Sequence, residues 1–418
     1  MKTLREYIAN VQKFSSQAQR YLVVTMLLGI GGGVFQLFFN FYILSLGYEE
    51  DFLGLLISVP SLMALVVALF AGYISDLIGR KQSFVLGSLI STLAQGGMLL
   101  WPTRGMLLLT GALRGVGNSI FGVATAPFLM EHSTESERTH LFSFSSGIAT
   151  MSSFLGNFVG GSLPLFFSGV LDVRPTSSTA YAWSLGLTLL LNLVALIPLL
   201  RLRVEEKTLA QNPLDPFRTL WESRGPMARL LLPSLIISLG AGMLIPFMNV
   251  FFRFRYQLPD DVIGNLFGFG SLGMGAAILL APVLAERWGK PKTVVITQGL
   301  SIPFMIVLGF IPSVFLAQVA FLARMALMNL SGPVYNTMVM EEADESSRGV
   351  AASLYSMIWS SGRAISPAIS GPIQKLYGFD PVFIITIVAY GVSVYMVYRW
   401  FVRGSSDSVR TLQPEPVP

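Results

Sequence analysis

Gly72-Tyr73-Ile74-Ser75-Asp76-Leu77-Ile78-Gly79-Arg80-Lys81 closes one apolar segment and opens the next. A fainter copy, Ala281-Pro282-Val283-Leu284-Ala285-Glu286-Arg287-Trp288-Gly289-Lys290, repeats the order acid, glycine, base 210 positions later. Two apolar helices joined by so few residues must reverse direction at a membrane surface. Glycine supplies the permissive backbone for that reversal, and charges at the helix ends stay in the wet interface. Asp76 and Arg80 stand one helical turn apart, so they can bond each other or a neighbouring helix. The plainest role for the bases is to anchor the loop on one side of the membrane.

Composition places the whole chain in that setting. Hydrophobic residues make up 53% and charged residues 12%, with a mean hydropathy of +0.63. A soluble chain carries about 25% charged residues, so about half the usual charge is missing. The net charge is +5, and no nucleic-acid partner is expected. Cysteine is absent, which excludes disulfides, thiolate chemistry and cysteine–metal sites. The two histidines, His132 and His140, share one polar loop, an arrangement that argues against a metal centre or a histidine relay in the membrane. Neither a cofactor nor an enzyme activity is expected. Residues 1–20 form an amphipathic segment with four bases, and the apolar run after them is too long for the core of a cleaved signal.

Apolar segments of spanning length, about 17–25 residues or more, run over 21–46, 51–78, 82–101, 105–131, 138–168 and 179–202. A second set covers 227–256, 260–287, 292–311, 313–340, 348–376 and 380–403. Lys and Arg number 20 in the N-terminus, alternate loops and C-terminus, against five in the other loops: Arg104, Arg174, Arg253, Arg255 and Lys375. That asymmetry predicts cytoplasmic N- and C-termini. The polar stretch 203–226 reads as a cytoplasmic linker, and Phe217, Leu220 and Trp221 share one face of a short surface helix within it. Residues 404–418, rich in Ser and Pro, read as a disordered tail.

The halves 21–202 and 227–403 repeat each other. At the same offset of 210, Asp51 matches Asp261, Gly54 matches Gly264, Arg114 matches Arg324 and Glu131 matches Glu341. Glu135 likewise matches Glu345, and Arg138 matches Arg348. Repeats with the same insertion sense put a substrate site at their interface near the bilayer midplane. The opening stretch resembles the loop 2–3 signature of the major facilitator superfamily, G-x-x-x-D-x-x-G-R-[KR]. Leu77 departs from the base that often follows the Asp, while the second copy keeps one in Arg287. The resemblance implies an all-α membrane protein with 12 transmembrane helices in two pseudo-symmetric six-helix bundles. It further implies a cytoplasmic latch formed by Asp76, Gly79, Arg80, Lys81 and Glu131, helped by Glu286, Lys290 and Glu341, that breaks as the halves rock.

Every Asp and Glu falls in a loop or at a span end, yet three arginines sit within spans. Each costs about 2.5–3.5 kcal/mol at a helix centre, so each is a candidate for a cavity or a polar partner. Arg114 lies in Leu113-Arg114-Gly115-Val116-Gly117-Asn118, which resembles the superfamily's span 4 motif, and Asn118 is one turn away on the same face. Arg324 is its repeat partner; either arginine can bind substrate or lock its own bundle. Arg363 has no counterpart, because position 153 is serine. With Tyr355 and Trp359 it forms an aromatic and cationic stripe, suited to an anionic or aromatic ligand or to stacking on Trp359. Gln36, Asn40 and Asn249 fall on spans 1 and 7, which line the cavity in relatives. Buried amides like these, and Asn157 in span 5, more often bond neighbouring helices.

Span 5 carries Gly147, Gly156, Gly160, Gly161 and Pro164, which resembles in part the antiporter motif of drug exporters; close helix packing explains the same small residues. The expected function is alternating-access export of small organic or amphiphilic compounds, in exchange for a proton or another ion. The alternative is carriage of an organic anion held by the buried arginines. A transport-inactive sensor or a lipid flippase on the same fold is the rival of another class. The expected setting is the plasma (inner) membrane, as a monomer whose partners are the substrate, a coupling proton or ion, and lipid.

Overall fold

The computed structural model describes residues 14–203, 224–342 and 348–403, without the side chains of 69, 71–74, 76, 135, 136, 139, 224–228, 342 and 348–353. The expected surface helix in the linker, the N-terminal amphipathic segment up to residue 13 and the tail after 403 lie outside the described residues. The first six spans are Ser16–Ser45, Glu50–Ile78, Arg80–Leu100, Arg104–Glu131, Glu135–Gly160 with Leu163–Leu171, and Ser178–Leu200. Span 7 is Arg224–Leu244, a 3-10 turn over Ile245–Phe247, and Met248–Tyr256. Spans 8 to 11 are Asp260–Trp288, Lys290–Phe310, Val314–Glu342 and Arg348–Tyr377. Span 12 is Asp380–Val397, ending in a π turn over Tyr398–Arg403.

Local sequence explains the irregularities. Span 1 starts earlier than its hydropathy suggests because Ser15 caps it, its side chain accepting from the Ala18 amide. Gly160-Gly161 and Pro164 interrupt span 5. Pro246, which cannot supply a backbone donor, sits in the tight turn that interrupts span 7. Among the described residues, eleven helices are long and apolar enough to cross a membrane. Span 11 is more polar than these, carrying Arg363, Lys375 and several serines.

Contacts divide the chain into two units. Unit 1 holds spans 1–6 together with Asn249–Leu272, and unit 2 holds the first part of span 7 and everything from Gly273 onward. Within unit 1, span 1 packs on spans 5 and 6, span 4 on spans 2 and 3, and span 3 on span 6. Unit 2 repeats the scheme: span 7 on spans 11 and 12, span 10 on span 9, and span 9 on span 12. Each unit has an apolar core toward the ends where spans 2–3 and 8–9 turn. In unit 1 it gathers Tyr21, Phe84, Phe128, Leu141 and Leu199; in unit 2, Leu230, Val294, Tyr335, Val339 and Val397.

Candidate functional site

The duplicated turn is a single residue in each unit. Gly79 has φ 88° and ψ 157°, Gly289 has φ 81° and ψ 148°, and this region of backbone space is nearly closed to residues with a side chain. Each glycine ends one span and caps the next by the same bonds. The Gly79 amide donates to the Ser75 carbonyl at 3.0 Å, and its carbonyl accepts from the Ser83 amide and hydroxyl at 3.0 and 2.9 Å. The Gly289 amide donates to the Ala285 carbonyl at 2.9 Å, and its carbonyl accepts from the Thr293 amide and hydroxyl at 3.0 and 2.9 Å.

This corrects one expectation. The helix breaks at Gly79, so Asp76 belongs to the helix that ends there and Arg80 to the one that starts, and the spacing of four is not one turn of a continuous helix. Arg80 places Nε 3.6 Å from Glu131 Oε1 and donates to the Ser75 hydroxyl at 2.9 Å; the Asp76 side chain lies outside the described ones. The second unit repeats the ion pair, Lys290 with Glu341, at positions each 210 further on. Lys81 is half-buried and Glu286 exposed, and neither forms an ion pair among the described residues.

The three arginines within the spans part company. Arg324 is 5% exposed and donates to the Tyr390 hydroxyl at 2.9 Å, so span 10 is tied to span 12 inside unit 2. Its Nε has no bonding partner among the described residues. Arg114 is half-buried, with Cζ 3.4 Å from the Phe35 ring centroid, and Phe35 stacks on Phe39 at 5.1 Å. Gln36 next to it is exposed, as is Asn118, which accepts from Ser91 Oγ at 3.1 Å. Arg363 is exposed in unit 2. The expected stripe is only partly formed: Tyr355 and Trp359 meet edge-on at 6.5 Å, and no ring contact of Arg363 with Trp359 occurs among the described residues.

Asn40 and Asn249 turn out to be partners. Asn40 Nδ2 donates to Asn249 Oδ1 at 2.8 Å, and Asn249 Nδ2 donates to the Leu37 carbonyl at 2.8 Å. Both residues are buried. The bridge joins span 1 to the second part of span 7 within unit 1.

Beside it is a cluster that the sequence reading passed over. Arg253 forms an ion pair with Asp260. Asp260 Oδ2 also accepts from the Tyr181 hydroxyl at 3.0 Å, and Arg253 Cζ lies 4.5 Å from the Phe41 centroid. Arg253 had counted only toward loop charge; a base and an acid flanking the short turn 257–259 were the available signal. Close packing completes this end. A Cβ on Gly161 would lie 3.1 Å from Asp261 Cα and 3.2 Å from Gly264 Cα, and one on Gly156 would collide with the Ile30 carbonyl of span 1.

Twelve helices, the repeated turn and the paired packing scheme describe a known architecture, and the model of the Major Facilitator Superfamily matches residues 21–367 and, in a second alignment, 230–417. The chain belongs to the Major Facilitator Superfamily. It is therefore a multi-pass integral membrane protein of a transporter family, with a small-molecule substrate and lipid as its surroundings. No curated protein matches it by sequence. Solved structures do resemble it. The nucleoside transporter NupG has a TM-score of 0.74 at 15% identity over 93% of this chain and 99% of its own. A bacterial homologue of the human lysosomal transporter Spinster, in an inward-facing and occupied conformation, has 0.75 at 13% over 92% and 97%. A bacterial homologue of the iron transporter ferroportin, in an inward-facing state, has 0.69 at 16% over 92% and 98%. At these identities the likeness is one of fold.

Proposed function

We propose that the chain is a secondary-active transporter working by alternating access, and that its cargo is a small organic anion with an apolar or aromatic body. Arg114 carries this reading. Its guanidinium lies within a membrane span, stacked on Phe35, with no acidic partner among the described residues. An arginine at a helix centre costs about 2.5–3.5 kcal/mol, and a partly desolvated cation–π contact returns about 0.5–2 kcal/mol. The deficit of about 0.5–3 kcal/mol is met by an anionic group on the substrate, while Phe35 offers a ring face to its body.

Export of neutral or cationic amphiphiles rested on the span 5 glycines. Close packing against span 1 and Gly264 accounts for three of them, Gly156, Gly160 and Gly161, so they do not call for an exchange function. The similar structures carry cargoes as different as nucleosides and iron in their descriptions, which leaves the choice to the side chains. The excess of bases around the Gly79 and Gly289 turns supports both termini in the cytoplasm. The pairs Arg80–Glu131 and Lys290–Glu341 then act as cytoplasmic latches, in a monomer in the plasma (inner) membrane.

Thermal unfolding of the purified protein with 2-naphthalenesulfonate, uridine or tetraphenylphosphonium tests the cargo, because a ligand that binds the folded state raises Tm. Stabilisation by the sulfonate that disappears in Arg114→Ala supports the anion reading. Stabilisation by tetraphenylphosphonium, unchanged in that variant, overturns it in favour of amphiphile export. A protein that binds a compound yet moves none of it in proteoliposomes is a sensor, and one that moves only labelled lipid is a flippase.

A further inference from the structure

A secondary transporter needs a coupling site, and within the spans the sequence offered no acid away from their ends. The structure points to an acid at the very start of span 8, Asp260. The Asp260 side chain is 10% exposed, against 33% for Glu131 and 57% for Glu341 in the opposite-end pairs. One carboxylate oxygen is paired with Arg253 Nη2 and the other accepts from the Tyr181 hydroxyl. The turn that brings acid and base together is fixed by the backbone: Gln257 has φ 51°, and Arg253 Nε donates to the Leu258 carbonyl at 3.0 Å. Arg253 also donates to the Tyr181 hydroxyl at 3.4 Å and covers the Phe41 ring. Asp260 thus holds span 8 to span 7 by charge and to span 6 by a hydrogen bond, and it orients the guanidinium that lies on span 1. The ionisable groups that face it are Arg253, Tyr181 and the adjoining, exposed Asp261.

We propose that Asp260 is the proton-binding site that couples transport, and that the proton it takes up unlocks the end of the protein opposite the Gly79 turn. This rests on the transporter reading above. As a carboxylate, Asp260 attracts Arg253 and accepts from Tyr181, and both interactions favour the packed arrangement of residues 249–272 on spans 1, 5 and 6. When a carboxylate oxygen gains a proton the side chain becomes neutral, its attraction to Arg253 is lost, and the guanidinium, 20% exposed, is left without a counter-charge. That state relaxes by hydrating Arg253 more fully, which opening of this end favours. The sign follows: the closed arrangement is favoured where Asp260 is ionised and is lost as the pH falls. Loss of one such coupling shifts a two-state equilibrium by roughly 5- to 150-fold.

The chain has no cysteine, so spin labels can be placed cleanly at the exposed loop positions Thr176→Cys and Pro312→Cys. Pulsed electron–electron distance measurements in lipid nanodiscs at pH 8 and pH 4.5 then read the opening without any substrate. Expected are a longer-distance population that grows at least fivefold on acidification, its presence at both pH values in Asp260→Asn, and a retained acid response in Asp260→Glu. A distance distribution indifferent to pH in the unsubstituted site, or an acid response that survives in Asp260→Asn, overturns the proposal. Should Asp260→Asn not fold, Arg253→Gln removes the same attraction from the other side and must raise the long-distance population at pH 8; an unchanged distribution counts against the site. Absence of any transported compound in proteoliposomes, with the pH response intact, would instead defeat the transporter reading alone.

Discussion

Asn249→Ala removes the largest set of buried side-chain bonds between span 7 and span 1, and its cost can be worked from the geometry. The amide accepts from Asn40 at 2.8 Å, donates to the Leu37 carbonyl at 2.8 Å and accepts from the Val250 amide at 2.9 Å. Two of these bonds cross between helices. Inter-helix polar bonds in membranes average about 0.6 kcal/mol with a ceiling of about 1.7 kcal/mol, so the pair contributes about 1–3 kcal/mol. The Leu37 carbonyl also belongs to its own helix ladder, so removal of the Asn249 donor does not orphan it. The expected loss is therefore nearer the lower limit, at about 1–2 kcal/mol. Unfolding in mixed micelles, followed by tryptophan fluorescence, measures it. A cycle with Asn40→Ala and the double variant isolates the amide–amide bond, for which a coupling of about 0.6–1.7 kcal/mol is expected. Effects that simply add, within about 0.3–0.5 kcal/mol, would show that the two amides do not bond in the membrane and would refute the reasoning.

Three further outcomes follow from the same geometry. Gly79→Ala and Gly289→Ala should each lower stability by about 1–3 kcal/mol, since an L side chain is forced into a backbone region that excludes it; equal Tm values for variant and parent would contradict the turn geometry. The Arg80–Glu131 pair is 15% and 33% exposed, so either charge reversal should cost no more than about 1 kcal/mol of stability while slowing uptake of 2-naphthalenesulfonate into proteoliposomes. The swapped pair Arg80→Glu with Glu131→Arg should recover rate, and failure of the swap would argue that the charges anchor topology only. Arg324→Met should lower Tm by stranding the Tyr390 hydroxyl, and adding Tyr390→Phe should restore it, because removing both partners of a buried bond is nearly neutral; a transport defect that persists in the restored double variant would give Arg324 a role beyond structure.

The fold and the ion pairs beside the Gly79 and Gly289 turns were legible because both are written twice. Hydropathy sets the number and length of the spans, and the offset of 210 predicts that whatever pairs with Arg80 has a counterpart near Lys290. The acids at Glu131 and Glu341 end their spans in matching positions, and the structure pairs them with those bases. Helix continuity across Gly79 was misjudged for a physical reason. A spacing of four residues is one helical turn only where the helix runs through, and a glycine at φ 88° stops it.

The other end was opaque because there the repeat fails. The Asn40 counterpart is Val250 and that of Asn249 is Phe39, so the amide bridge has no second copy to draw attention to it. Arg253 and Asp260 correspond to Ile43 and Glu50, and only the acid is kept. Polar groups placed on one half alone cannot be explained by an ancestral bundle that had to fold in both copies. Their contacts run instead from Asn249–Leu272 to spans 1 and 6, where span 7 is interrupted at Pro246. The ion pairs shared by both copies sit beside matching turns, whereas this polar set, present once, reaches from the second half's residues to spans 1 and 6. That distinction is why Asn40, Asn249, Arg253 and Asp260 are the residues from which its coupling should be sought.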